Sequence, residues 1–144
     1  MKLLIVTQRV DRADPILGFF HEWIATFAQH CDHVTVIGQA VGDHQLPDNV
    51  TVHSLSKETG RSVLGQIIHF WRLQWQLRHQ YDRVFVHMIP WWVVLGALQW
   101  SLRRVPVYLW YEHSHPSLVL RAALWFWRGT FSVSEGGRPF PTAK

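Results

Sequence analysis

The 144-residue sequence has a single cysteine, Cys31, and comparatively few charged residues. One cysteine excludes a disulfide framework and a cysteine-based zinc cluster, and it makes a reducing, cytoplasmic setting the default expectation. Charged residues make up 17% of the chain, against roughly 25% in ordinary soluble domains. The 48% apolar content nevertheless excludes a disordered chain, a collagen and a coiled coil.

Neither a signal peptide nor a continuous membrane-spanning segment is expected from the sequence. The N-terminal apolar run covers only Leu3 to Val6 before charge returns at Arg9, which is too short for the apolar region of a leader. The stretch 84–102 carries no formal charge, but Pro90 divides it into a β-branched run and a helical run. Because a spanning helix needs about 20 continuous apolar residues, two buried elements are predicted here instead.

The excess of positive charge is small. Fourteen Lys and Arg residues stand against ten Asp and Glu, a formal net charge of +4. Such an excess is compatible with phosphate ligands, an anionic membrane surface or nucleic acid, and it does not choose among them. The basic residues are dispersed and no nucleic-acid-binding module is recognisable, so no nucleic-acid partner is expected.

Short apolar runs alternate with longer helical patterns along the chain. Runs typical of strands lie at 3–7, 34–37, 50–55, 84–88, 105–111 and 129–133. Helical spacing of apolar residues lies at 18–30, 64–79, 91–102 and 116–127. Strands that alternate with helices of this length are typical of βαβ units. The predicted fold is therefore α/β, with a doubly wound, mostly parallel sheet.

In an open parallel sheet, ligands bind beyond the carboxyl ends of the strands. A dinucleotide site is not expected there, because only Gly18 remains of the glycine-rich motif and the second strand ends in Gly38-Gln39. A Walker loop is absent as well. Gly18 alone either lets a phosphate approach the backbone of a helix N-terminus or is an ordinary loop glycine.

The densest polar cluster, Glu112-His113-Ser114-His115, directly follows the predicted fifth strand. Two histidines and a carboxylate are possible metal ligands, but no third strong ligand set accompanies them at metal spacing, so no metal is expected. The alternatives are hydrogen bonding or proton transfer at a sugar or phosphate, and loop histidines exposed to solvent. His87 follows a buried strand, so it is either a hydrogen-bonded core histidine or a ligand contact.

Tryptophans recur at helical spacing. On the predicted second helix they belong to an apolar stripe with polar residues opposite; the stripe comprises Leu64, Ile67, Ile68, Trp71 and Trp75. Such stripes are typical of a core or an interface. With flanking arginines, the tryptophans could instead rest on anionic lipid; the set considered is Trp71, Trp75, Trp92, Trp100, Trp125 and Trp127.

Several segments together resemble the N-terminal domain of retaining glycosyltransferases of family 4, which have the GT-B fold. The segments are LLIVTQRV with Gly18-Phe19-Phe20, HVTVI, YDRVFVHMIP, VYLWYEHSH and FSVSE. The resemblance covers nearly the whole chain. It implies a Rossmann-like, acceptor-side domain over 1–134 and a tail or the start of an interdomain linker over 135–144, without the C-terminal donor-binding domain.

The resemblance also implies roles for the candidate residues. His113 is expected near the transferred sugar as the catalytic residue, and Gly18 near the donor phosphates. Contacts with the acceptor or the sugar are expected from His87, Glu112, Ser114, Ser134 and Glu135. The implied reaction moves a hexose from a nucleotide sugar to a glycan or lipid acceptor with retained configuration, as in cell-envelope glycan biosynthesis, with no cofactor and no obligatory metal.

The donor half of the family's machinery has no counterpart in this sequence. The family has two glutamates separated by seven residues, whereas no such pair occurs among Glu22, Glu58, Glu112 and Glu135. Stabilisation of the leaving group is the largest catalytic effect, and the residues that provide it are missing, so this chain alone is expected to be inactive. It would then be either a truncated reading frame or a natural half-length protein. The alternative hypothesis is a non-catalytic α/β domain that uses its Trp/Arg helices to bind a partner or the inner face of the membrane.

Overall fold

The computed structural model describes residues 1–111 and 129–131. The strands are β1 (Lys2–Val10), β2 (His33–Val41), β3 (Val50–Ser54), β4 (Arg83–His87), β5 (Val107–Trp110) and β6 (Gly129–Phe131). The helices are α1 (Gly18–His30), α2 (Val63–Leu77) and α3 (Pro90–Leu102). All six strands are parallel, in the order β3-β2-β1-β4-β5-β6. The strand order reverses between β1 and β4, which confirms the predicted doubly wound α/β fold.

Two apolar layers enclose the central strands. Successive strand side chains point to opposite faces, so Leu4 and Val6 pack beneath α2 and α3 while Leu3 and Ile5 pack beneath α1. All four of these β1 side chains are buried. Burial on both faces explains why the central strands read as continuous apolar runs instead of alternating ones.

β1 and β2 continue beyond their predicted ends at residues 7 and 37. They pair with each other as far as Arg9↔Ala40 and Val10↔Val41. The glycine-containing sequence after Ile37 favours a loop when it is read locally. Pairing with a neighbouring strand, which buries Val10 and Ala40, overrides that local preference.

The segment around Pro90 divides as the sequence predicts. β4 ends at His87, and Pro90 occupies the first turn of α3, where its missing N–H leaves no helical hydrogen bond unmade. Within residues 1–111 and 129–131, none of the helices has the length and apolar character that crossing a membrane requires. β5 begins later than predicted, because Pro106 precedes it and has no N–H to donate. The Pro106 carbonyl still accepts from the Val84 N–H at 3.0 Å.

α2 begins as predicted but buries a different face. The Ser62 hydroxyl caps the helix by accepting from the Gly65 N–H at 3.2 Å. The buried side chains are Gln66, Phe70, Leu73, Gln74 and Leu77. Most of the predicted apolar stripe lies on the opposite side in solvent: Leu64, Ile68, Trp71 and Trp75 are all exposed, and Ile67 is partly buried. α2 therefore carries two apolar stripes, and the core receives the one that contains Phe70.

Candidate functional site

The strand order reverses between β1 and β4, and the carboxyl edge of the sheet at such a point is the usual ligand position in this kind of fold. His87, the last residue of β4, and Thr7, beside it within β1, lie on the two sides of this point, and both are almost fully buried. Thr7 Oγ1 and His87 Nδ1 share a hydrogen bond of 3.2 Å. The Phe20 ring stacks on the His87 imidazole, with ring centroids 3.9 Å apart, and Phe19 meets the same ring edge-on at 6.1 Å. These four residues are called the switch-point cluster below.

Burial determines the charge of His87. Removal of the imidazole from water lowers its pKa from 6.5 to about 4, so the ring is neutral at pH 7. A neutral imidazole can hold Thr7 but does not serve as a cationic proton donor at that pH. The sequence left two alternatives for His87, and the observed geometry is that of a hydrogen-bonded core histidine. Contact of His87 with a sugar stays a prediction.

Gly18 begins α1, and the backbone around it is already engaged. Its N–H donates to the Asp14 carbonyl at 3.0 Å. The Asp14 carboxylate accepts from the N–H groups of Leu17 and Ile16 at 2.7 and 2.9 Å. These bonds, together with Arg9, hold the pKa of Asp14 below its usual range. The Asp14 carboxylate thus holds the two residues that precede α1, and no side chain caps the helix itself.

The small size of Gly18 has a packing reason as well. A Cβ atom at this position would lie 3.1 Å from the backbone oxygen of Arg12. The loop between β1 and α1 therefore approaches the helix more closely than other residues allow. A contact between Gly18 and donor phosphates remains a prediction.

Four polar side chains gather near the ends of β1 and β3, and they are called the polar rim: Arg9, Asp14, Ser54 and Glu58. Arg9 donates to the Asp14 carboxylate at 3.1 Å, and the Ser54 hydroxyl donates to Glu58 at 2.6 Å. Partial burial opposes ionisation of Glu58, but the Ser54 hydrogen bond and the Arg9 charge leave its pKa below the usual value. Both carboxylates are therefore ionised at pH 7.

Sequence reasoning missed the polar rim. Arg9 falls beyond the predicted end of β1, and Glu58 is far away along the chain. No spacing rule joins them, since only the sheet order β3-β2-β1 brings the two loops together. The one local signal was the position of Ser54 near the end of the predicted strand 50–55, with Glu58 in the loop that follows it.

Two residues at this sheet edge adopt left-handed backbone conformations. Ser56, two residues after β3, and Met88, directly after β4, both have φ of 64°. Such a conformation is strained for residues other than glycine and concentrates at functional sites. Hydrogen bonds hold both in place, because the Ser56 N–H donates to the Ser54 hydroxyl and the Met88 N–H donates to the Trp110 carbonyl. The strain adds support for the carboxyl edge as the functional edge.

The other predicted site residues lie outside the described residues; they are Glu112, His113, Ser114, Ser134 and Glu135. The strand before the first group, β5, ends at the same sheet edge as Thr7 and His87. In the part of the chain that the structure describes, no three His, Cys, Asp or Glu side chains come close enough to hold a metal ion.

A groove lies along α1, on the face of the sheet that this helix covers. This groove of about 490 Å³ is lined by Met1, Leu3, Trp23, Phe27, Arg83, Phe85, Tyr108 and Trp110. Its walls are almost wholly apolar, and Met1 and Arg83 place one end near the amino ends of β1 and β4. It therefore lacks the polar groups that a reaction would need, unlike the carboxyl edge.

Comparison with solved structures shows what the fold resembles. The structure is similar to UDP-GlcNAc 2-epimerase from Methanocaldococcus jannaschii, with a TM-score of 0.58, 15% sequence identity and 94% of this chain covered. At that identity the similarity shows a shared Rossmann-like fold alone. The chain spans 40% of the length of that protein. No protein-family model matches the sequence, and no curated protein matches it.

Proposed function

We propose that the chain is the N-terminal, acceptor-side domain of a glycosyltransferase that moves a hexose from a nucleotide sugar to a glycan or lipid acceptor with retained configuration. The observation that carries the proposal is that the switch-point cluster and the polar rim lie at one sheet edge, at the β1–β4 reversal point. The same fold occurs in an enzyme named for a nucleotide sugar, UDP-GlcNAc. Membership of glycosyltransferase family 4 belongs to the proposal and rests on the sequence resemblance.

The chemistry of this edge favours a sugar acceptor over a diphosphate. Asp14 and Glu58 place negative charge at this edge, which repels a phosphate, and the Asp14 carboxylate accepts from the N–H groups of Ile16 and Leu17 just before α1. Ionised carboxylates instead accept hydrogen bonds from sugar hydroxyls. Phe19 is 48% exposed beside the His87 ring and offers an apolar surface for the C–H face of a pyranose. These features support acceptor binding by this domain.

The proposed reaction breaks the bond between the sugar's anomeric carbon and the diphosphate. A bond to an acceptor hydroxyl forms on the same face, and the hydroxyl proton passes to a base. In the proposal His113 lies at this centre as the catalytic residue. Glu112, Ser114, Ser134, Glu135 and His87 surround the sugars, and Gly18 lies near the donor phosphates. The proposal includes no metal and no cofactor.

The proposal assigns the donor-binding residues to a second domain. The chain spans only 40% of the solved structure that it resembles, and its sequence offers no glutamate pair of the donor-binding kind. The 144-residue chain alone is therefore proposed to bind an acceptor without catalysing transfer. We place the reaction in the cytoplasm, in keeping with the single buried thiol of Cys31.

Ligand-observed NMR on the 144-residue chain tests acceptor binding. Oligosaccharides should give saturation-transfer signals with the unchanged chain. Phe19→Ala or Glu58→Gln should lower the affinity for the oligosaccharide by about tenfold, which corresponds to roughly 1.4 kcal/mol of lost contact. Trp75→Ala removes an equally exposed aromatic ring from the opposite face of the molecule and should leave the signals unchanged. Absence of saccharide signals, or equal loss in all three variants, would remove the acceptor role.

A further inference from the structure

Exposed apolar side chains concentrate on one side of the molecule. Among the residues that the structure describes, eight of the eleven large apolar side chains in solvent belong to α2 or α3: Val63, Leu64, Ile68, Trp71, Trp75, Trp91, Leu98 and Leu102. Scattered exposed apolar residues are ordinary, but a contiguous patch marks an interaction surface. Six of the eight form what we call the α2–α3 face: Leu64, Ile68, Trp71, Trp75, Leu98 and Leu102.

The α2–α3 face is one continuous surface. Trp71 and Trp75 of α2 and Leu98 and Leu102 of α3 line a shared groove of about 510 Å³. The Trp71 indole N–H donates to the Leu95 carbonyl of α3 at 2.9 Å. This hydrogen bond fixes the ring across both helices, so the apolar surface is held in place instead of collapsing into the core.

Positive charge coincides with this face. Residues 59–111 contain six arginines and one acidic residue, Asp82, whereas seven of the ten acidic residues of the chain precede residue 59. Arg72 lies beside Trp71 and Trp75. The Arg78 guanidinium lies 4.3 Å above the Trp75 ring.

In the part of the chain that the structure describes, carboxylates do not neutralise these arginines. The ion pairs that arginine side chains make within residues 1–111 involve Arg9, Arg12 and Arg83, and none involves Arg72 or Arg78. Asp82, the one acidic residue in 59–111, lies 3.6 Å from Arg83. The face therefore combines exposed tryptophan and leucine with arginines that no described carboxylate pairs.

We propose that the α2–α3 face docks the domain onto an anionic lipid bilayer. Leucine side chains would enter the acyl boundary, the two indoles would lie at headgroup depth, and the arginines would meet lipid phosphates. A second copy of the chain fits the face less well, because the described part of the face offers no carboxylate to pair with Arg72 and Arg78 when a two-fold contact buries them. The docking proposal does not depend on the proposed transfer reaction.

Co-sedimentation of the 144-residue chain with vesicles tests the proposal. The chain should sediment with phosphatidylglycerol/phosphatidylcholine vesicles, remain in solution with pure phosphatidylcholine, and be released as salt is raised. Arg72→Gln and Arg78→Gln should each weaken partitioning by about fivefold, the effect of one basic residue near a charged bilayer. Trp75→Ala should weaken binding to a similar degree.

Two variants on the loop between β1 and α1 are matched controls. Arg12→Gln removes the same charge, and Ile16→Ala removes an equally exposed apolar side chain, far from the α2–α3 face. Both should bind as the unchanged chain does, and circular dichroism should show that every variant is folded.

Three results would overturn the docking proposal. The first is equal binding to anionic and zwitterionic vesicles, or to neither. The second is a loss in Arg12→Gln as large as that in Arg72→Gln, which would reduce the effect to net charge. The third is a dimer in analytical ultracentrifugation that Trp75→Ala dissociates, because the face would then be the interface of a second copy.

Discussion

The hydroxyl of Thr7 and the Nδ1 atom of His87 lie 3.2 Å apart, although 80 residues separate them in the sequence. His87 is the last residue of β4, and Thr7 lies beside it within β1, on the two sides of the point where the strand order reverses. A buried polar group costs free energy unless it is hydrogen-bonded, so each of these side chains needs the other. Their bond therefore supports the sheet edge at which the candidate site lies.

Thr7→Val should destabilise the protein, because it leaves His87 Nδ1 buried without its partner. The expected loss is about 1–3 kcal/mol in the free energy of unfolding, measured by urea denaturation. Thr51→Val is the matched control, since Thr51 shares a similar contact with His33 on the exposed edge strand; its effect should stay within about 0.5 kcal/mol. Equal effects in the two variants would show that the buried bond does not stabilise the fold.

Acidification should weaken the fold through His87. Its pKa is lowered from 6.5 to about 4 by burial, so between these pH values the imidazole is protonated in the unfolded chain and neutral in the folded protein. The contribution of His87 to the free energy of unfolding is therefore complete above pH 6.5. It is lost as pH falls towards 4, by at most about 1.4 kcal/mol per pH unit.

Imidazole NMR signals measure this directly. The His87 resonance, identified by its contacts with the Phe20 ring, should stay in the neutral position well below pH 6. Titration of that signal near pH 6.5 would contradict the burial argument. Partial burial also lowers the pKa of His53 and His69, so the NMR signal separates His87 from their contributions.

Gly18→Ala should destabilise the domain, because the added Cβ would lie 3.1 Å from the Arg12 carbonyl oxygen in a loop tied to Asp43. A loss of about 1 kcal/mol is expected in thermal or urea unfolding. Gly65→Ala, in the first turn of α2, meets only the flexible Arg61 side chain and the Ser62 hydroxyl within 3.4 Å. It should be neutral or stabilising by up to about 1 kcal/mol. A stabilised Gly18→Ala variant would show that the loop yields freely.

Gln74→Met should stabilise the domain. Both amide atoms of the Gln74 side chain are buried without a hydrogen-bond partner, and an apolar side chain of similar size removes that penalty, by about 1–2 kcal/mol. Gln66→Met is the control, because the Gln66 amide donates to the Arg61 carbonyl at 2.9 Å, and its loss should be destabilising. Urea denaturation of both variants checks the opposite signs; a destabilised Gln74→Met would mean that the amide has an unseen partner such as water.

The sequence predicts the core strands well, because their chemistry is local. Leu3 to Val6 is a run that only a strand buried on both faces explains, and Pro90 marks the start of α3 by its missing N–H. The ends of β1 and β2 depend on pairing between Val10 and Val41, so they are not visible in either segment alone. Local patterns predict the elements, whereas contacts between elements determine where they end.

α2 shows the limit of periodicity. Apolar residues occur on two sides of this helix, one containing Phe70 and the other Trp71, and periodicity does not say which side meets the sheet. Burial settles the choice: Trp71 and Trp75 are exposed, while Trp92 and Trp100 of α3 are in the core. All four tryptophans were candidates for lipid contact from the sequence, and of these only Trp71 and Trp75 are exposed enough to make it.

The candidate site could be predicted only in part. Its edge follows from the fold class, and His87 stands out because it follows a buried strand. Its bond to Thr7 and the approach of Arg9 to Glu58 depend on the strand order, which no spacing in the sequence encodes. The roles of His113 and its neighbours remain predictions, since those residues lie outside the described part of the chain.

Transfer of a labelled hexose from a panel of nucleotide sugars, catalysed by the protein from the complete reading frame that contains this chain, tests the proposed function most directly. The account predicts a glycosylated acceptor with retained anomeric configuration, and turnover at least about tenfold lower in His113→Ala. Conversion of UDP-GlcNAc into its 2-epimer without any transfer, or an unchanged rate in His113→Ala, would contradict it.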